Sequence, residues 1–246
     1  MDLTANQLSE NWIKLGDIIT NVLSTRSESL TKLYSGLEER IMFAPGSAIE
    51  HYHNAFPGGY VDHVLRVYKC AMKLHTTWGE MGADMDGYTI EELAFAAINH
   101  DLGKVGDIDN PYYEPNTSEW HRKNQGKIYD YNSDIVTMEV PHRGLWMLQE
   151  HGVKVTQNEY IAIMTHDGMY VEGNWFYYKS KSKNGGFKNN MPLVLHHADL
   201  MASRIEFERW KKEDSTTVKA PPSKHVKKVL STSDSKNVAI FNNLFK

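Results

Sequence analysis

The chain has 246 residues, of which 41% are hydrophobic, so it is long enough for one large domain with a sizeable core. Its single cysteine excludes an intrachain disulfide, which favours a reducing compartment. The first residues are neither basic nor apolar enough for a signal peptide, and no apolar run approaches the ~18 residues of a membrane span. We therefore expect a cytoplasmic protein with no membrane partner.

The net charge of −4 is unevenly distributed along the chain. Residues 1–210 contain 19 Lys and Arg against 28 Asp and Glu, whereas residues 211–246 contain 8 Lys against 3 acidic residues. An acidic body is a poor general binder of polyanions, because it repels their phosphates. We interpret the lysine-rich tail as a solvated segment, with phosphate contact as the alternative.

Helical patterns dominate the sequence, which predicts an all-α fold. Capping boxes, in which Ser or Thr precedes Glu or Gln by three residues, occur at Thr4–Gln7, Ser47–Glu50, Thr89–Glu92 and Thr156–Glu159. Hydrophobic periodicity predicts helices over residues 5–24, 28–42, about 60–75, about 89–102, 141–151, 157–167 and 192–212.

Two insertions interrupt this pattern. Residues 105–133 are polar, aromatic and acidic, and residues 169–191 run from a Trp-Phe-Tyr-Tyr cluster into a stretch rich in Lys, Ser, Asn and Gly. Such insertions tend to form loops or small hairpins beside a site. We expect N-terminal helices over 1–45 that pack on the core, a main helical domain over 46–212 that carries both insertions, and a basic tail over 213–246.

Two of the helices carry a titratable residue on the side that faces the core, where an unpaired charge is costly. In the helix near residue 60, His63 falls on the apolar side at 100° per residue. In the next helix, Asp101 lies on the apolar stripe one turn beyond Ala97, and His100 lies at its edge. The other members of that stripe, which we expect to be buried, are Ile90, Leu93 and Ala94. A buried carboxylate beside an inward histidine favours a bound cation.

Three later segments add further candidates. Asp199 shares its helix face with three apolar residues, Leu195, Ala202 and Ile205. His142 lies at a helix start and His166 ends an apolar helix. The candidate metal ligands are therefore His63, His100, Asp101, His142, His166 and Asp199. For His142 or His166 alone, a hydrogen-bonded structural histidine is the alternative. The histidines that flank these segments, His51, His53, His196 and His197, are expected to have supporting or structural roles.

Three strings carry a resemblance to a known family: GGYVDH at 58–63, HDLGK at 100–104 and HHADLMASR at 196–204. In this order they resemble the HD-domain metal-dependent phosphohydrolase superfamily, which is all-α. Its signature is a histidine, a later His-Asp pair and a final aspartate, which match His63, His100, Asp101 and Asp199. The match covers about residues 50–210, so it implies that residues 46–212 form an HD domain.

The resemblance also implies a ligand set and catalytic roles. In the branch with two metals, His142 and His166 fit the places of two extra histidines, so two ions with Asp101 bridging them are expected. Such mixed ligands suit Mn²⁺, Fe²⁺, Zn²⁺, Ni²⁺ or Co²⁺, with Mg²⁺ as an alternative if few histidines bind. Asp101 and Lys104 are the predicted catalytic residues, and Lys104, Arg143 and Arg204 are the predicted phosphate contacts. Lys104 is alternatively an ordinary cation at a helix C-terminus.

The expected function is that of a metal-dependent phosphohydrolase that cleaves a phosphoester of a nucleotide or related substrate with a metal-activated water. Two alternatives stay open. The segment YHNAFPGGYVDHVLRV at 52–67 is also similar to HD domains of 3′–5′ exoribonucleases and of some conjugative relaxases, so a 3′–5′ exonuclease on single-stranded nucleic acid is one. A non-catalytic binding module on the same fold is the other. Aromatic residues of the two insertions are expected either to stack a nucleobase or to anchor their loops.

Overall fold

The computed structural model describes residues 3–52, 54–180 and 185–214. Within these ranges the α-helices are α1 (Ala5–Asp17), α2 (Ser27–Gly36), α3 (Glu38–Phe43), α4 (Gly59–Glu80), α5 (Ile90–Asn99), α6 (Glu119–Gln125), α7 (Val140–Glu150), α8 (Gln157–Thr165), α9 (Trp175–Lys179) and α10 (Met191–Asp214). Two short strands, β1 (Tyr113–Pro115) and β2 (Tyr129–Tyr131), form an antiparallel pair. The predicted all-α fold is confirmed. Of the predicted tail, only the two residues that end α10 lie inside the described ranges.

Helix α5 lies at the centre of the core. All residues from Leu93 to Asn99 are buried, because α5 packs against α4 on one side and α8 on another. A helix that is apolar on all sides has to be enclosed in this way. Ile90 is an exception to the prediction, since it is 45% exposed. It is the first residue of α5, where the flanking helices no longer cover the side chain.

Three of the four predicted capping boxes are confirmed. The hydroxyls of Thr4, Thr89 and Thr156 each accept a hydrogen bond from the backbone N–H of the residue three positions later. The side chain of that Gln or Glu accepts in return from the backbone N–H of the threonine. The fourth prediction is wrong. The Ser47 hydroxyl instead accepts from the amide of Ile49 at 3.2 Å, and no helix follows it. This local bond offers the backbone an alternative to the helix.

The predicted helix over 28–42 is divided in two. Helix α2 ends at Gly36 and α3 begins at Glu38, with the buried Leu37 between them outside helical geometry. A glycine weakens a helix interior by roughly 1 kcal/mol relative to alanine, so the chain can bend there to direct Leu37 into the core. The first predicted helix also ends early, because residues Ile18–Val22 form a π-helical turn.

The two insertions differ in structure. The first contains β1, α6 and β2, with Tyr113 paired to Tyr131, so of the two expected forms, a loop or a small hairpin, it adopts a hairpin whose strands are joined by α6. The described part of the second contains the 3₁₀ turns Gly168–Tyr170 and Glu172–Asn174 followed by α9, and no strand. Within the described ranges, no helix combines the length and apolar character that a membrane crossing requires.

The glycine pair before α4 fixes where the helix that carries His63 begins. Gly58 has a left-handed φ of 85°, which favours glycine. A Cβ atom added at Gly59 would collide with the backbone carbonyl of Asn54. The chain therefore turns tightly into α4, and His63 is held one turn inside the helix.

We expect Gly59→Ala to lower the free energy of unfolding by about 1–3 kcal/mol, because the added methyl group overpacks against backbone that cannot rotate away. The control is Gly36→Ala, where an added Cβ meets nothing within 4 Å. That variant should be neutral or stabilised by up to about 1 kcal/mol. Urea unfolding of the two variants measures the difference. Equal stability of both would contradict the close approach at Gly59.

Candidate metal centre

Four helices bring five of the six predicted ligands together. His63 lies on α4, His100 and Asp101 follow the end of α5, His166 follows the end of α8, and Asp199 lies on α10. All but Asp199 are at most 3% exposed, and the Asp199 side chain is 18% exposed. The predicted inward direction of His63, Asp101 and Asp199 is therefore confirmed, and His166, which was predicted only to end an apolar helix, is buried as well.

The ring nitrogens of the three histidines face the two carboxylates. Nε2 of His63 lies 3.1 Å from Oδ1 of Asp199 and 3.6 Å from Oδ2 of Asp101. Nε2 of His100 lies 3.5 Å from Oδ2 of Asp101 and 3.9 Å from Oδ1 of Asp199. Nε2 of His166 lies 3.6 Å from Oδ1 of Asp101. Five side chains from distant parts of the sequence thus surround one small space.

The other ring nitrogen of each histidine is held by an acceptor. Nδ1 of His100 donates to the carbonyl of Ala97 at 2.9 Å, and Nδ1 of His166 donates to the carbonyl of Ile163 at 2.7 Å. Both residues follow the last turn of an apolar helix, so the same local geometry recurs at the ends of α5 and α8. Since a carbonyl can only accept, Nδ1 of each ring carries a proton, and Nε2 of each ring is the nitrogen that faces the centre, where it can bind a metal ion through its lone pair.

This arrangement requires positive charge between the rings and the carboxylates. Nε2 of His100 is buried and has no hydrogen-bond partner among the described residues, although carboxylate oxygens lie nearby. A lone pair that faces an ionised carboxylate is repelled unless a proton or a metal ion lies between them. The orphaned nitrogen and the mixed nitrogen and oxygen donors fit a metal ion.

The electrostatics of the histidines agree with this interpretation. Burial by itself lowers the pKa of His63, but the carboxylates of Glu206 and Asp199 outweigh it and raise that pKa to about 10. Burial also lowers the pKa of His166, but the hydrogen bond to Asp101 and the charge of Asp167 outweigh it and raise that pKa to about 9. The carboxylates therefore favour positive charge between themselves and the rings, which either a proton or a metal ion can supply.

The two carboxylates are held in their ionised form. Burial raises the pKa of Asp101, but the charges of Lys104 and His100 outweigh it, so that pKa lies well below its usual value. Burial also raises the pKa of Asp199, whereas the hydrogen bond with His63 and the charge of His100 bring it below its usual value. Ionised oxygens are the form in which carboxylates bind metals.

Two overlapping groups of donors could hold a metal ion. The first is His63, His100 and Asp101, and the second is His100, His166 and Asp199. In each group the donor atoms lie within 4.8 Å of one another. His100 is common to both groups, so the five residues form one continuous donor cluster. This cluster is called the metal centre below.

Lys104 lies beside the metal centre. Its Nζ donates to Oδ2 of Asp101 at 2.6 Å, and its side chain is 14% exposed. Burial lowers the pKa of Lys104, but the charge of Asp101 outweighs it and raises that pKa above its usual value. A charged ammonium thus borders the centre, whereas its contact with a phosphate stays a prediction.

The structure does not group the other three predicted site residues with the metal centre. His142 has a side chain that is 47% exposed, and its Nδ1 lies 3.4 Å from Glu139, so its part in a second metal site stays a prediction. Arg143 is buried and donates to the carbonyl of Val136 at 2.7 Å, which favours loop anchoring. The exposed Arg204 pairs with Glu208 at 3.2 Å along α10.

Sequence reasoning missed Glu206, which touches His63 from the outer side. The sequence interpretation placed Ile205 on the buried face of α10 with Asp199, but Ile205 is 36% exposed and Glu206 is 2% exposed. The buried stripe runs through Leu195, Asp199, Ala202 and Glu206, at spacings of four, three and four. At 100° per residue, Glu206 lies about 20° from Leu195 around the helix and Ile205 lies about 80° away, so the spacing itself favours Glu206. The sequence interpretation chose Ile205 because it is apolar.

Two of the four flanking histidines, His196 and His197, make contacts of the supporting or structural kind that was expected. Nδ1 of His196 donates to the backbone carbonyl of His166 at 2.7 Å. A Cβ atom added at Gly168 would collide with the His196 ring, so this glycine lets the ring lie against the chain after His166. His197 packs beside Trp78, and His53 lies outside the described residues.

No protein-family model, curated protein or solved structure matches the chain. The likeness of its motifs to the HD-domain superfamily therefore stays a prediction from the sequence. The case for a metal centre is made by the buried donors, their distances and their charges.

Removal of bound metal should lower the melting temperature, because a bound ion cross-links α4, α10 and the ends of α5 and α8. At an ion concentration of about 100 Kd the expected stabilisation is about 2.7 kcal/mol, or about 5–10 °C for a chain of this size. Thermal unfolding with and without EDTA measures it, with metal content determined by mass spectrometry.

The His142→Gln variant tests which histidines bind. Since His142 lies apart from the described donor cluster, the variant should keep the response to EDTA, whereas His100→Gln should lose it. Loss of the response in His142→Gln would show that His142 is a ligand and would require a different arrangement of the centre.

Proposed function

We propose that the chain is a metal-dependent phosphohydrolase that cleaves a phosphoester of a nucleotide or a related substrate. One observation carries this proposal: three imidazoles and two carboxylates converge in a buried space, and Nε2 of His100 has no hydrogen-bond partner among the described residues. A binding module has no need of such a centre, because burying these polar groups costs free energy that packing does not return. The resemblance of the motifs to HD-domain phosphohydrolases supports the same reaction.

The residues of the metal centre divide into holding and orienting roles. One ion would be held by His63, His100, Asp101 and Asp199. A second ion would be held in part by His166, and the resemblance implies the same role for His142. A bound divalent ion supplies a Lewis acid that activates water and neutralises charge on a phosphoester. The carbonyls of Ala97 and Ile163 orient the rings of His100 and His166, so Nε2 of each ring faces the centre.

Lys104 has two roles in this proposal. Its ammonium group fixes one oxygen of Asp101 through the 2.6 Å hydrogen bond. It also places a fixed positive charge beside the centre, where a phosphoester would carry negative charge. As a point charge with three donors, an ammonium group suits a phosphate without imposing one orientation.

The first insertion supports a substrate with an aromatic base. Burial raises the pKa of the Tyr113 phenol, and the charges of Lys104 and Asp101 also act on it, so the hairpin lies beside the metal centre. The ring of Tyr131 lies 5.7 Å from that of Tyr113 at an interplanar angle of 32°, and Tyr131 is 58% exposed. A nucleobase could stack on the exposed ring while its phosphoester reaches the centre.

Asp101→Ala should reduce phosphoester hydrolysis by at least about 10³-fold, because the loss of a metal ligand removes several kcal/mol of transition-state stabilisation. The measurement is phosphate release from a panel of nucleotides, with Mn²⁺, Co²⁺, Zn²⁺, Ni²⁺, Fe²⁺ or Mg²⁺ added in turn. A labelled single-stranded oligonucleotide in the same panel distinguishes a nucleotidase from an exonuclease.

The control is Glu208→Gln, which changes an exposed carboxylate on α10 and should keep full activity. Equal rates for Asp101→Ala and wild type would contradict the proposal.

Tyr131→Ala should raise KM for a nucleotide about 5- to 150-fold, which corresponds to the loss of about 1–3 kcal/mol of stacking. It should leave KM for ribose 5-phosphate unchanged, since that substrate has no base. Tyr131→Phe should resemble wild type. The matched control is Tyr170→Ala, which removes an 81% exposed ring from the second insertion. A larger KM effect in Tyr170→Ala would place the base on the other insertion.

A further inference from the structure

A second layer of charged groups lies behind His63. Nδ1 of His63 is 3.2 Å and 3.1 Å from the two carboxylate oxygens of Glu206, whose side chain is fully buried. A buried carboxylate is costly unless its oxygens are satisfied. Contact with His63, a residue of the metal centre, is one of the interactions that compensate the cost of burying Glu206.

Glu206 is fixed from its other side by an arginine. Nε of Arg66 donates to Oε1 of Glu206 at 2.9 Å, and Arg66 lies one turn after His63 on α4. Arg66 is held in turn by Asp62 at 2.5 Å, and Nδ2 of Asn54 donates to the same Asp62 oxygen at 2.9 Å. The network of Glu206, Arg66, Asp62 and Asn54 leaves the Glu206 carboxylate little freedom to move.

The acceptor distinguishes His63 from the other two histidines of the centre. His100 and His166 donate from Nδ1 to neutral backbone carbonyls, whereas Nδ1 of His63 faces an ionised side chain. A charged acceptor forms a stronger hydrogen bond than a neutral one. It also makes the opposite nitrogen more basic, and therefore a better metal ligand.

We propose that Glu206 is a positioning residue that fixes the ring of His63 and strengthens its Nε2 as a metal donor. This proposal rests on the metal centre described above but not on the reaction that occurs there. Arg66 and Asp62 keep the Glu206 carboxylate in place, and Glu206 itself does not touch the substrate or the ion.

The structure offers a matched control for this proposal. Glu159 also has a fully buried side chain, and both of its oxygens bind an arginine, Arg26, at 2.7 Å and 2.8 Å. Glu159 touches no residue of the metal centre in the contacts of the described chain. Glu206→Gln and Glu159→Gln therefore remove the same charge from similar buried ion pairs, and only the first lies behind a ligand.

The test is a Co²⁺ or Zn²⁺ titration of metal-free protein in competition with a chromophoric chelator. Glu206→Gln should bind about 10- to 100-fold more weakly than wild type. Glu159→Gln should bind within about twofold of wild type, even though the loss of a buried ion pair lowers its melting temperature. Equal affinity of Glu206→Gln and wild type, or an equal loss in both variants, would overturn the proposal.

A second variant covers the case in which Glu206→Gln fails to fold. Asp62→Asn acts at the outer end of the network, where the side chain is 22% exposed, and should weaken the metal affinity in the same direction by a smaller factor. Unchanged affinity in that variant, with Glu206→Gln unfolded, would overturn the proposal. Weaker affinity without hydrolysis of any phosphoester by wild type would support the role of Glu206 and contradict the proposed function.

Discussion

The need for positive charge between buried carboxylates and buried imidazole lone pairs is the constraint on which the centre of this molecule depends. Asp101 is 3% exposed and Asp199 borders it, and the Nδ1 protons of His100 and His166 are already bound to carbonyls. Without a proton or a metal ion among them, these groups would repel one another in a medium of low dielectric constant. The ammonium group of Lys104 compensates part of this cost at Asp101, and a proton or a metal ion among the rings would compensate the rest.

The ends of the helices contribute to the same constraint. The C-termini of α5 and α8 both lie at the centre, since His100 and His166 are the residues that follow their last turns. A helix C-terminus carries a partial charge of roughly −0.5, which attracts a cation. The apolar character of α5 places this end deep in the core, away from the water that would screen it. The positions at which α5 and α8 end thus determine both where His100 and His166 lie and where the helix dipoles favour a cation.

Periodicity predicted the elements and the inward direction of His63, Asp101 and Asp199, because a residue's helix face follows from local spacing alone. It could not predict which helices meet. The preference for an apolar residue on a buried stripe selected Ile205 although the spacing favours Glu206, and the partners that explain a buried Glu206 lie 140 and more residues earlier. His142 entered the ligand set through its place at a helix start and through the resemblance. Its side chain is 47% exposed at the start of α7, because a place at a helix end does not determine the distance of a side chain from a site. Which charged residues pair across long sequence separations cannot be read from local patterns.

The two buried arginine pairs indicate why charge is retained in this core. A buried ion pair seldom stabilises a fold more than apolar residues of the same volume would, because desolvation offsets the attraction. Arg26 joins Glu159 on α8 to Glu91 on α5, so it ties together the starts of the two helices whose ends carry His166 and His100. Arg66 holds Glu206 behind His63. Of these two pairs, only Arg66–Glu206 touches a residue of the metal centre in the described part of the chain, so its desolvation cost is best understood as the cost of holding the His63 ring in place. The Arg26 pair joins two helices away from the centre and holds the helices rather than a donor atom.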